Sequence, residues 1–195
     1  MAVFSGFTAD TAKHLQLDAG AFLKDYDPTT DTWDTAKATK LIGATSGGGS
    51  FSAVPTMRRI EVDGVKGAAK GLQNVDEWVI TITANVKEFT AETIKLSLIG
   101  ATGTPTDAQP TGYTKITASS ELKLTDYINN ITWVGRLSGS EKPVIIVVKN
   151  VLSTNGLSLT MADKAEGMIP ITFTGHYDPK KLEELPFEIY YPDVE

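Results

Sequence analysis

The chain of 195 residues contains no cysteine. That excludes a disulfide framework, thiolate catalysis and cysteine-based zinc sites, and it makes folding in a reducing cytoplasm unproblematic. Histidine occurs only as His14 and His176, which is sparse for most hydrolytic and transition-metal chemistry. The N-terminal MAVFSGFTAD has neither a basic start nor a long apolar stretch, so no secretory signal is expected. The longest aliphatic run, Val144–Val148, is far short of a membrane span. Basic residues are too few to dominate: three arginines and a net charge of −6 argue against an electrostatic grip on nucleic acid.

What is abundant is threonine, 25 residues of it, together with Val and Ile. Branched side chains suit a pleated surface, so the chain reads as strand-rich. Its length fits one domain able to bury a sizeable core unaided. Residues 1–40 read as an arm, a first strand at Ala21–Tyr26 and an acidic loop from Asp25 to Asp34. Residues 41–195 read as the β core. There Lys40–Ala44 and Phe51–Val54 flank Gly47, Gly48 and Gly49. Thr56–Val62 runs into Asp63-Gly64, a hairpin turn signal, with a return strand expected over Val65–Leu72.

Trp78–Lys87 is the clearest strand. Trp78, Ile80, Ile82, Ala84 and Val86 share one face; Val79, Thr81, Thr83 and Asn85 share the other. One short helix is expected over Ala91–Ile99, with Thr90 as its N-cap, Phe89 and Ile94 as a staple, Gly100 at its end and an Ile94/Leu98 stripe. Residues 100–112 read as a loop. Further strands are expected at Tyr113–Lys123, Asn130–Leu137, Pro143–Ser153, Leu157–Met161, Met168–Tyr177 and Phe187–Tyr191. Asn155-Gly156 marks a turn between two of these, and Asp178-Pro179 opens a short helical turn. Val144–Val148 is apolar on both faces, which calls for cover on both sides.

No catalytic constellation emerges. GATSGGGS, residues 43–50, nearly matches a phosphate loop, but Gly49 stands where the lysine belongs and a strand follows instead of a helix. Asp25, Asp27, Asp31 and Asp34 lack the glycine and terminal glutamate of a calcium loop, so a solvated acidic loop is expected. His14 and His176 have no evident third partner, and Glu183-Glu184 falls in a charged turn. The sequon at Asn130 lies in an expected strand. Trp78 and Trp133 fall on apolar faces, leaving Trp33 as the one loop tryptophan.

Three blocks, LDAGAFLKDYD (17–27), KLIGATSGGGSFSAVPTMRRIEVDGVKG (40–67) and DEWVITITANVKEFTAETIKLSLIGA (76–101), resemble in content and order the tail tube, or major tail, proteins of long-tailed phages and prophages of Firmicutes. They cover roughly half the chain; residues 100–195 match only in style. The resemblance implies a mainly β fold, a tail-tube-type β-sandwich or barrel with one short flanking helix and extended arms. It implies six copies in a ring, and rings stacked into a hollow tube in the virion, assembled in the host cytoplasm. The implied partners are further copies of the chain, a tape measure protein in the lumen, tail tip or baseplate and tail terminator proteins, and double-stranded DNA in transit.

On that basis Asp25, Asp27, Asp31, Trp33, Gly47, Gly48, Gly49 and Phe51 are candidates for inter-subunit or inter-ring loops. Bulky replacements at Gly47–Gly49 are expected to block tube growth while the subunit still folds. Thr81, Thr83 and Asn85 are candidates for a lumen or interface face, expected to be acidic and rich in hydroxyls so that DNA slides. No cofactor, no metal, no membrane insertion and no enzymatic activity are expected. The alternatives are the inner tube of a contractile tail or secretion machine, a β-sandwich carbohydrate-binding or adhesin module marked by clustered exposed aromatics, and an enzyme of unrecognised type.

Overall fold

Strict alternation organises the central strand. In the computed structural model, which describes residues 5–107, 110–161, 163–164 and 166–194, Ile80, Ile82, Ala84 and Val86 are buried. Residues 1–4 of the expected arm and 108–109 of the expected loop lie outside the described residues. The strands are β1 (Ala21–Lys24), β2 (Thr45–Arg59), β3 (Gln73–Val86), β4 (Thr102–Pro105), β5 (Thr114–Thr117), β6 (Ile128–Gly135), β7 (Val144–Ser153), β8 (Ile169–Thr174) and β9 (Phe187–Tyr190). The α-helices are α1 (Trp33–Thr39) and α2 (Ala91–Ser97), and Thr11–His14 and Leu124–Asp126 form short 3-10 helices. The fold is mainly β, as expected.

Seven strands form one antiparallel sheet, six on the path β1-β6-β7-β8-β3-β2 and β9 paired with β7 off that path. β7 belongs to two neighbourhoods. Val144–Val148 pairs with both β6 and β9, whereas Leu152 and Ser153 pair with β8. Between them Asn150 takes a left-handed φ of 49°, and pairing with β6 continues past it to Val151. The two halves of the path fold face to face. Phe22, Ile131 and Val148 from one half meet Ile82, Ile171 and Phe173 from the other in a single core cluster. Each fully buried side chain of this kind contributes roughly 1.5–3 kcal/mol.

The double-sided cover expected for Val144–Val148 is present, and it is intramolecular. Val148 enters the main core, and Val147 is also buried. On the outer face a second cluster forms from Leu23, Tyr26, Val134 and Ala36 of α1, with Ile145 packed against it. α1 is a correction to the expected loop. Thr32 caps it, accepting from the Thr35 amide, and the Thr35 side chain reciprocates. The capping box uses threonine where glutamate is usual.

α2 is capped by Thr90 as expected, but it ends at Ser97, short of Ile99. Its buried positions are Thr93 and Ser97; Ile94 and Leu98 are only half-buried. Hydroxyls can face the core here because each finds a carbonyl. Thr93 Oγ1 donates to the Glu88 carbonyl at 2.8 Å, and Ser97 Oγ to that of Ile94 at 2.7 Å. Three further expectations fail. β4 lies in the expected loop at 100–112, and Leu157–Met161 is not a strand. Asn155 makes no hairpin; its side chain accepts from the Thr172 amide and donates to the Pro170 carbonyl, extending the edge of β8.

Candidate functional site

The glycine run is the bulged start of β2, which corrects its expected loop character. Thr45 pairs with Val86, and the next pair is Gly49 with Ala84, so the β2 side carries two extra residues. Gly47 and Gly48 absorb them at φ of 70° and 64°. Gly49 is glycine because nothing else fits. A Cβ there would stand 2.0 Å from the Thr83 carbonyl oxygen and 2.5 Å from Phe22 Cζ. A Cβ on Gly48 would touch Ala19 at 3.1 Å, whereas Gly47 faces open space. Phe51 points inward, its ring 5.7 Å from Phe187.

β1 and β2 are the two ends of the sheet path and do not pair with each other. Between them lies a cleft of about 320 Å³, floored by Phe22, Phe51, Ile82, Trp133 and Ile146, with bare glycine backbone along its β2 side. It shares Ala19 with a neighbouring groove that holds Asp18, Trp33 and Glu141.

At its other end β2 leaves the body with β3. Trp78, opposite Pro55, is the last β3 residue packed on the core. Pairing continues outward to Arg59 opposite Gln73. Met57, Ile60, Val62, Val65 and Val75 are exposed on this extension, and Val54 and Val79 are exposed just inside its base. Asp63-Gly64 does turn, with Gly64 at φ 84° and the Val65 amide bonded to the Val62 carbonyl. The return over 65–72 is irregular, however, and β3 begins only at Gln73. Residues 58–70 carry Arg58, Arg59, Lys66 and Lys70 against Glu61 and Asp63, and Arg58 is already paired with Asp76 of β3 at 3.0 Å. The outer edge of β2 has no partner strand among the described residues.

Thr81, Thr83 and Asn85 share the outward face of β3. Ser52 and Thr174 flank Thr81, and Ser50 and Thr172 flank Thr83. The Thr83 and Thr172 hydroxyls lie 3.0 Å apart. This three-strand patch is tiled with hydroxyls and bears no charge at those ladder positions.

The acidic candidates fall elsewhere. Asp27 accepts from the Thr29 amide and hydroxyl and from the Thr30 hydroxyl; Asp31 accepts from the Asp27 amide and, at 2.5 Å, from Lys40 Nζ. The Thr29 side chain leads in holding the Asp27 carboxyl below its ordinary range, and the Asp27 amide leads for Asp31. Burial, then the charges of Asp31 and Asp27, pushes the Tyr26 hydroxyl upward. Asp25 adopts φ 55°, and its Oδ1 is buried without a hydrogen-bond partner. Trp33 starts α1 and is 42% exposed. Of the candidates in this segment it alone reaches towards the glycine run, sharing its groove with Ala19 and Thr45.

The histidines stay apart. His14 Nδ1 lies 3.1 Å from the Tyr191 hydroxyl, and His176 Nδ1 lies 3.0 Å from the Asn150 carbonyl oxygen. Among the described residues no three His, Asp or Glu side chains are grouped to hold a metal, and no helix is long and apolar enough to cross a membrane. The exposed apolar row on the hairpin was not among the expected site residues. Its signal was present in Met57, Ile60, Val62 and Val65, apolar residues interleaved with charges beside a turn. No protein-family model matches the chain, and no curated protein matches it significantly.

Proposed function

We propose that the chain is a structural subunit that polymerises with copies of itself into a hollow tube of the phage-tail kind. The observation that carries this is the β2–β3 hairpin, which extends past the core with five large apolar side chains exposed on it. Exposed apolar side chains gathered on one projecting element mark an interaction surface. The open 15-residue edge of β2 adds a second demand, since an unpaired edge is a template for another strand. Contacts between two different patches on identical chains are heterologous. They close into rings where the rotation permits and propagate as filaments where it does not.

The hydroxyl-tiled face around Thr81 and Thr83 suits the bore. It offers DNA phosphates no cations to condense on. The expected acidity is absent from those positions and belongs to the chain as a whole. Rings of six, a tape measure protein inside, tip and terminator proteins at the ends, and a place in the virion belong to the same proposal, with no catalytic role. The inner tube of a contractile machine would use the same surfaces. Negative-stain microscopy of concentrated protein tests the proposal. Rings or tubes are the expected result; single particles at every concentration, with an initiating tail tip supplied, refute it.

A further inference from the structure

We infer that Asn155-Gly156 is a modification site, where spontaneous deamidation makes an opening of the β8 edge permanent. Six asparagines occur in the chain, and only Asn155 is followed by glycine. A glycine at the next position leaves its backbone nitrogen open to approach, because no Cβ stands beside it. The surroundings are open as well. A Cβ on Gly156 would meet nothing within 4 Å, and Asn155 is exposed, so water reaches the pair.

The side chain is nevertheless held. β7 and β8 pair through only Leu152 with Thr174 and Ser153 with Phe173. The Thr154 amide adds one bond, to the Thr172 carbonyl at 3.0 Å. There the backbone bends away, and the Asn155 carboxamide takes the place of a peptide group. Its oxygen accepts from the Thr172 amide at 2.9 Å, and its nitrogen donates to the Pro170 carbonyl at 2.7 Å. A carboxamide fixed at both atoms by sheet backbone cannot swing its Cγ onto the Gly156 nitrogen. The site is therefore silent while the edge is closed and reactive when it opens locally.

In the open state the Gly156 nitrogen loses its proton to base and bonds to Asn155 Cγ. The Cγ–Nδ2 bond breaks, and the nitrogen leaves as ammonia. Water then opens the cyclic imide at either carbonyl, giving aspartate or isoaspartate with no change of oxidation state. Neither product restores the latch. The Nδ2 donor is gone, and a carboxylate oxygen would face the Pro170 carbonyl oxygen with no proton between two acceptors. The new charge also lies beside Thr172, on the rim of the hydroxyl-tiled patch, which bears none at its ladder positions.

The test incubates the full chain at mildly alkaline pH, native and in urea, and follows each asparagine by peptide mapping with mass spectrometry. In urea Asn155 should react first of the six. In native buffer its rate should be about tenfold lower or less. A second arm reads hydrogen exchange in Asn155→Asp, a change at an exposed position that leaves the core intact. The Thr172 amide should exchange about tenfold faster than in the wild type, while the Ile82 amide in the core keeps its protection. Another asparagine reacting first in urea overturns the site. Equal native and urea rates at Asn155 overturn the gating by the β8 edge. Unchanged Thr172 exchange in Asn155→Asp overturns the permanence.

Discussion

Replacing Gly49 by alanine places a Cβ 2.0 Å from the Thr83 carbonyl oxygen and 2.5 Å from Phe22 Cζ. The oxygen is fixed in the sheet and the ring is 99% buried, so neither can step aside cheaply. Overpacking costs about 1–3 kcal/mol, and a backbone obstacle argues for the upper end. For a chain of this size each kcal/mol lowers the melting temperature by about 2–4 °C, giving a fall of about 6–12 °C. Gly47→Ala is the control. It meets nothing within 4 Å and bears only the strain of φ 70°, about 1 kcal/mol and about 2–4 °C. Melting curves followed by far-ultraviolet circular dichroism decide the order. The expected ranking inverts the one that positive φ alone would give, since Gly49 is the residue without it. A Gly49→Ala chain melting within a degree of the wild type, or above Gly47→Ala, refutes the close-packing account. The same reasoning withdraws the expectation that bulky groups at all three glycines leave the subunit intact.

Replacing residues 57–76 by Asn-Gly should leave the melting temperature within about 2 °C of the wild type while abolishing rings and tubes, because every residue of that segment but Ala69 and Leu72 is exposed; calorimetry with microscopy reads both. Phe173→Ala, at a fully buried position, should cost about 3–5 kcal/mol in denaturant unfolding. Thr93→Val keeps the volume but strands the Glu88 carbonyl, and should cost about 1–3 kcal/mol by the same measurement. Folding holds the Asp27, Asp31 and Glu188 carboxyls below their ordinary range, for Glu188 chiefly through Lys149. Their contribution is therefore complete above the unfolded carboxylate pKa and disappears as pH falls through the lowered values. Stability from these groups should be flat from neutral pH down to that range and then decline, a decline reduced in Asp31→Asn.

Strands with a plain alternation are legible in the sequence, as in β8 and the core half of β3, as is the continuous apolar run of β7, and Thr90 caps α2 as expected. Errors arose where tertiary contact overrides local preference. Three glycines read as a loop because glycine is weak in strands, yet Phe22 and the β3 backbone approach so closely that glycine is what the strand requires. α1 was missed because Thr35 stands in for the usual glutamate of a capping box. In α2 the apolar stripe lost to Thr93 and Ser97, whose hydroxyls are satisfied by nearby carbonyls and so travel inward at little cost. Asn155-Gly156 has the composition of a tight turn, but the asparagine amide bonds the edge of β8 instead. For the site, Thr81, Thr83 and Asn85 were found as one face, whereas the acidic turn bonds mainly to itself.

β7 is shared by both halves of the sheet, pairing with β6 and β9 along its length and with β8 at its end. A pull on either half is consequently handed along a single covalent thread to the other, and neither can be peeled away while its mate stays folded. In a wall built of such units, tension would be resisted in shear by whole domains, with failure sudden instead of gradual.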